Sequence, residues 1–179
     1  VASDTTLRRP ADLLQKAGFV AAAIAVVAAA AIAGAWFFEL VLDVRPCPLC
    51  LEQRYAYYLA IPLAALVALG AGHGAPRAVI VGGFAVLAVA LLANAGLGVY
   101  HAGVEWGFWQ GPTDCSGPIV DFGSGGSLLD TLNKVKVIRC DEVQWRFLGL
   151  SLAGYNVIIS LALAVLAAWG AVRVLRRAT

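Results

Sequence analysis

The stretch Arg45-Pro46-Cys47-Pro48-Leu49-Cys50-Leu51-Glu52-Gln53-Arg54 sets two thiols apart by only a Pro-Leu dipeptide. At that spacing a helical or turn-like backbone brings both sulfurs within disulfide reach, which needs Cα atoms about 4.4–6.8 Å apart. Residues from Leu51 onward read as helix, so the pair is expected at a helix N-terminus. There the unpaired N–H groups and the helix dipole favour the thiolate, the reactive form of cysteine. Pro46 and Pro48 have no N–H to offer a preceding element and hold a tight approach to that end. Thiol–disulfide exchange, a static disulfide and half a zinc site all remain open on these residues alone. Zinc commonly takes four ligands as two close pairs, whereas Cys115 and Cys140 stand 25 positions apart and His101 is single, so no metal is expected.

Arg54 follows Cys50 by four positions, one helical turn deeper. A cation there either snorkels, pairs with Glu52 or Glu105, or holds a thiolate and a ligand carbonyl; beside a redox pair the last reading is preferred. Cys115 and Cys140 close a loop containing turn glycines, where a disulfide is open to an incoming thiolate. A plain staple would serve that loop equally well. His101 follows Tyr100 at the depth expected for Arg54 and is either a ligand-contacting or an ordinary interfacial histidine. Asn94 reads as an interhelical hydrogen bond, and His73 as a solvated turn residue.

These residues need elements to carry them. Of 179 residues, 61% are hydrophobic and 13% charged, with a mean hydropathy of +0.81, a balance that points to a membrane protein. Ala17–Phe38 holds 22 residues without a charge, roughly 33 Å of helix at 1.5 Å per residue and long enough to span a bilayer core. That length also argues against a cleaved signal peptide. Similar runs follow, giving expected spans at about 17–38, 53–72, 78–102 and 147–172, with loops at about 39–52 and 103–146. Pro62 lies inside the second span, where a kink is expected rather than a break. The fold class is an all-α, four-helix membrane bundle forming a single domain over residues 1–179. No nucleic-acid signature is present.

The longer loop opens with Trp106, Phe108 and Trp109, an expected interfacial anchor. Farther on, Leu128, Leu129, Leu132 and Val135 fall at helical spacing, which suggests a short amphipathic helix, lying on the membrane surface or equally well packed on the bundle. Basic residues are denser in the short flanks on the side of the two termini, placing both termini in the cytoplasm. All four cysteines then fall on the opposite side, as an oxidising compartment would favour. Four cysteines allow three pairings, and spacing does not choose among them.

The R-P-C-P-L-C-L-E-Q-R stretch, the Tyr100-His101 pair ending the third span, and the segment C-D-E-V-Q-W-R-F-L-G-L from Cys140 to Leu150 together resemble the DsbB family. The resemblance covers nearly the whole chain. It implies an inner-membrane oxidase that regenerates the disulfide of a periplasmic DsbA-type dithiol protein and passes the electrons to ubiquinone, or to menaquinone. It assigns Cys47 and Cys50 to the quinone-linked pair, with Cys50 and Arg54 against the quinone and His101 near that pocket. Cys115 would be the sulfur attacked by the partner, Cys140 its mate, and Cys47 and Cys140 would join transiently. Vitamin K epoxide reductase-like enzymes also pair a CxxC with loop cysteines, but there the loop pair comes first. A non-catalytic scaffold braced by disulfides is the remaining alternative.

Overall fold

The computed structural model describes residues 4–112 and 139–176, with side chains from Leu14 onward. Within them run α1 (Asp4–Leu40), α2 (Pro48–Gly72), α3 (Arg77–Glu105) and α4 (Leu152–Arg176). Each is long and apolar enough to cross a membrane, so the all-helical four-span bundle expected from the sequence is what forms. Cys115 and the expected surface helix around Leu128–Val135 lie outside the described residues.

Chain order sets the packing: α1 lies against α2, α2 against α3, and α3 against α4, with α1 also meeting α4. Ala21, Ile24 and Ala28 of α1, Ala60 and Ala64 of α2, Phe84, Leu87 and Leu91 of α3, and Leu163 and Ala167 of α4 form one buried core. Small residues let the backbones approach: a Cβ on Gly83 would fall 2.4 Å from Val67 Cγ2, and one on Gly170 would fall 2.9 Å from the Phe84 ring. Membrane helices cohere through such packing, since apolar burial gains nothing against lipid. Outward-facing Phe19, Val26, Leu66, Val86, Val89 and Val165 stay exposed, as a bilayer allows.

The helices overrun the charge-free runs, α1 from Asp4 to Leu40 and α3 on to Glu105, and two starts differ for local reasons. α2 starts at Pro48, ahead of the expected span at 53, because Cys47 caps it and proline suits the first helical position. Pro62 lies within α2, which continues through it to Gly72. At the other end, α4 starts at Leu152 rather than near Phe147. Arg146–Phe147 (β1) and Leu150–Ser151 (β2) pair antiparallel around a turn with Leu148 at φ 48° and Gly149 at φ 83°. Lack of charge identified an apolar stretch there, but two left-handed residues cannot belong to a helix.

On α1, the helix turns Ala30, Ala31, Gly34 and Ala35 toward a cavity at the Cys47 end of the bundle. Beyond its chain neighbours and the backbone of its own helix, no atom would lie within 4 Å of a Cβ added at Gly34.

Candidate active site

Cys47 is the N-cap of α2, with extended backbone at φ −77° and ψ 167°. Its sulfur accepts the Cys50 N–H at 3.3 Å, taking up one of the orphan donors of the first turn. Capping therefore fixes the pair: the two sulfurs lie 2.7 Å apart, longer than the S–S bond of about 2.05 Å and within reach of forming it. Cys47 is buried and Cys50 half-buried. The adjoining Cys50 sulfur, and then burial, push the Cys47 thiol well above the ordinary thiol range, so Cys47 is a sulfur that keeps its proton.

Cys140 is buried in one small cluster with Cys47, Leu49 and Val104. The chain arrives there held by a clamp of Arg139 on Asp141, with Nε–Oδ1 2.9 Å and Nη2–Oδ2 2.5 Å. That clamp holds the Asp141 carboxyl below the usual carboxylate range. The long loop thus returns its second cysteine to the first pair.

His101, one turn from the end of α3, is 3% exposed. Its Nε2 lies 3.5 Å from Cys47 Sγ and 3.9 Å from Glu105 Oε1. The two sulfurs and a ring nitrogen of His101 fall within 4.8 Å of one another, a spacing that could bracket a soft cation. Arg54 points elsewhere than toward Glu52 or Glu105: its Nη1 donates to Glu39 Oε2 at 2.6 Å, and its guanidinium lies 5.7 Å from the centre of the Trp36 ring. Glu105 is engaged with the Ser151 hydroxyl and faces His101, while Glu52 is exposed on α2. Both ends of the Arg54–Glu39 pair are sheltered, at 11% and 27% exposure.

Cys47, Cys50, Arg54 and His101 line one cavity of about 570 Å³, a size usual for small-molecule sites. An aromatic group stands at its wall: Phe38 and Trp145 rings meet edge to face at 4.8 Å, Trp145 stacks on Phe147 at 6.0 Å, and Tyr155 lies 6.3 Å from Trp145. Sequence reasoning missed this group, since Phe38 and Trp145 come from the two separate loops' edges. It also missed Glu39, although a lone carboxylate ending an apolar run signals a needed partner. Asn94 makes the interhelical bonds expected of it, to Asn156 and Ser160. His73 is exposed and bonds its own helix at Leu69 O.

A capped cysteine pair, a third cysteine folded against it, and an apolar cavity between membrane-length helices define a membrane-embedded thiol–disulfide oxidoreductase. The family model for disulfide bond formation protein DsbB matches residues 17–170, and the chain belongs to that family. It is 34% identical to disulfide bond formation protein B of Marinobacter nauticus over 151 residues, covering 78% of this chain and 83% of that protein. The protein of the same name in Xanthomonas axonopodis pv. citri is 33% identical, covering 81% and 84%; that of Aromatoleum aromaticum is 34% identical, covering 73% and 78%. No solved structure matches. DsbB oxidises DsbA using quinone through cysteine pairs, and the present chain is a disulfide oxidoreductase of this inner-membrane family.

Proposed function

We propose that electrons enter at the long loop and leave through the cavity. A periplasmic DsbA-type dithiol attacks Cys115, giving a mixed disulfide and releasing Cys140 as thiolate. The partner's second thiolate then resolves that bond, leaving the partner oxidised and Cys115–Cys140 reduced. Cys140 next attacks Cys47, which joins Cys47 to Cys140 and frees Cys50 as a thiolate facing the quinone. Attack of Cys115 on Cys140 closes the loop disulfide again and leaves Cys47 and Cys50 as the reduced pair. Their two electrons, with two protons, convert ubiquinone to ubiquinol and restore the Cys47–Cys50 bond. Arg54 meets a quinone carbonyl, and His101 borders the same space. Both termini are cytoplasmic and both cysteine loops periplasmic.

The observation that carries this reading is the convergence of Cys47, Cys50, Arg54 and His101 on one cavity, with Cys140 packed behind Cys47. Aqueous sulfur chemistry and a lipid-dissolved acceptor need such a meeting point, because no single pair serves both. The test mixes reduced DsbA-type partner, purified protein and a short-chain ubiquinone, and follows quinone absorbance. Wild type bleaches the quinone and Cys50→Ser does not; bleaching by Cys50→Ser at the wild-type rate overturns the assignment. Replacing ubiquinone with a menaquinone analogue in the same assay tells which acceptor is used.

A further inference from the structure

Behind the cysteines a run of polar side chains descends into the bundle. Gln53, Asn94, His101 and Ser160 are at most 5% exposed, and Tyr57 is 4% exposed. Each polar group at this depth needs a partner, because lipid offers none. Among the described residues, no buried side-chain nitrogen or oxygen lacks one.

The bonds have a direction. Asn156 Oδ1 accepts from the Tyr57 hydroxyl at 2.7 Å, from Asn94 Nδ2 at 3.2 Å and from the Ser160 hydroxyl at 3.3 Å. Asn156 Nδ2 is thereby turned to donate to Gln53 Oε1 at 2.5 Å. With its oxygen so engaged, Gln53 presents Nε2 to His101 Nδ1 at 2.8 Å. An amide nitrogen only donates, so Nδ1 must accept, and a neutral imidazole then carries its proton on Nε2. That nitrogen faces acceptors, Cys47 Sγ at 3.5 Å and the Glu105 carboxylate at 3.9 Å. The ring also hydrogen-bonds the backbone at Cys140.

We infer that Gln53 is a positioning residue that, held by Asn156, Tyr57, Ser160 and Asn94, locks His101 as an N–H donor toward Cys47 and so denies the reduced cysteine pair its third metal ligand. Two consequences follow. Donors run in one sense from His101 Nε2 to Cys47 sulfur, and from the Cys47 S–H to Cys50, which concentrates negative charge on the sulfur facing the cavity. Furthermore, the lone pair that a soft cation would need on Nε2 is occupied by a proton. Moving that proton to Nδ1 would set two donors against each other at Gln53. A dithiol beside an imidazole is otherwise a good site for zinc or cadmium, and binding there would stop turnover. The role of this proton deepens the proposed function and rests on it only for its catalytic meaning.

The test reads the tautomer directly. Histidine-15N-labelled, reduced protein in nanodiscs should show, for His101, a pyrrole-type Nε2 and a pyridine-type Nδ1; His73→Gln assigns the other histidine. The reversed pattern in wild type overturns the inference. In the Cys115→Ser background, Gln53→Leu should give mixed tautomers and bind Cd2+, followed by its thiolate absorption, more tightly; outer-shell groups move metal affinity about 10–100-fold, and here the group removed opposes binding. Unchanged tautomer and unchanged Cd2+ affinity in Gln53→Leu refute the role of Gln53. Neither readout depends on quinone or partner, so failure of the oxidase reading would leave them standing, and the reverse also holds.

Discussion

Arg54 carries the sharpest quantitative expectation. Its guanidinium has five N–H donors, and Glu39 takes one through Nη1 at 2.6 Å. The side chain lines the cavity and is 11% exposed, so solvent screens it little. A hydrogen bond from a charged donor contributes about 1.5–3 kcal/mol, and each 1.4 kcal/mol is about tenfold in binding. Arg54→Ala should therefore raise the quinone concentration at half-maximal rate by roughly ten- to a hundredfold, with partner dependence unchanged. Arg54→Lys keeps the charge but loses the planar fork, and should fall between. Glu39→Gln leaves a neutral hydrogen-bond partner, so it should lower the melting temperature in detergent yet move quinone half-saturation less than tenfold. The assay is ubiquinone bleaching at fixed reduced partner and graded quinone. Half-saturation unmoved in Arg54→Ala would remove the residue from the quinone site. A loss confined to melting temperature would make the Arg54–Glu39 pair a brace between α1 and α2.

Two further outcomes concern the thiols and the bundle. Because the neighbouring sulfur is the first cause holding Cys47 above the ordinary thiol range, Cys47 should stay protonated and resist small alkylating reagents as pH rises through about 8.5, where a free thiol ionises; Cys50→Ser should shift its alkylation, read by peptide mass spectrometry, to lower pH, and an unshifted profile would contradict the assignment. Gly83→Ala forces a methyl into the space of Val67 and should cost about 1–3 kcal/mol, lowering the melting temperature; adding Val67→Ala should restore much of it, and no recovery would show that the contact does not limit packing.

The charge-free runs made the four helices legible, since bilayer thickness dictates how long such runs must be. That the cysteine pair sits at a helix N-terminus was legible too, but not that Cys47 itself caps the helix and Pro48 opens it, since cysteine is no habitual cap. Partners were not. Arg54 was read as holding a thiolate and a ligand carbonyl, with Glu52 or Glu105 as the alternative partners, yet Glu39 on α1 holds it, and which face α1 turns toward α2 is decided by Ala-on-Ala packing that carries no polar signal. Asn94 announced one interhelical bond. That Gln53 and Tyr57, or Asn156 and Ser160, share a face four residues apart was readable, but their convergence on His101 needed the crossing of α2, α3 and α4.

The alanine-rich run of α1 looks like filler in the chain, yet it governs who can be a tenant of the redox chamber. Ala30, Ala31, Gly34 and Ala35 form one stretch of its wall, and a methyl added at Gly34 would enter open space. The first helix thus works as a caliper: its Glu39 holds Arg54, and the bareness of its alanines sets the breadth of ring and tail that the proposed quinone can bring to the sulfurs.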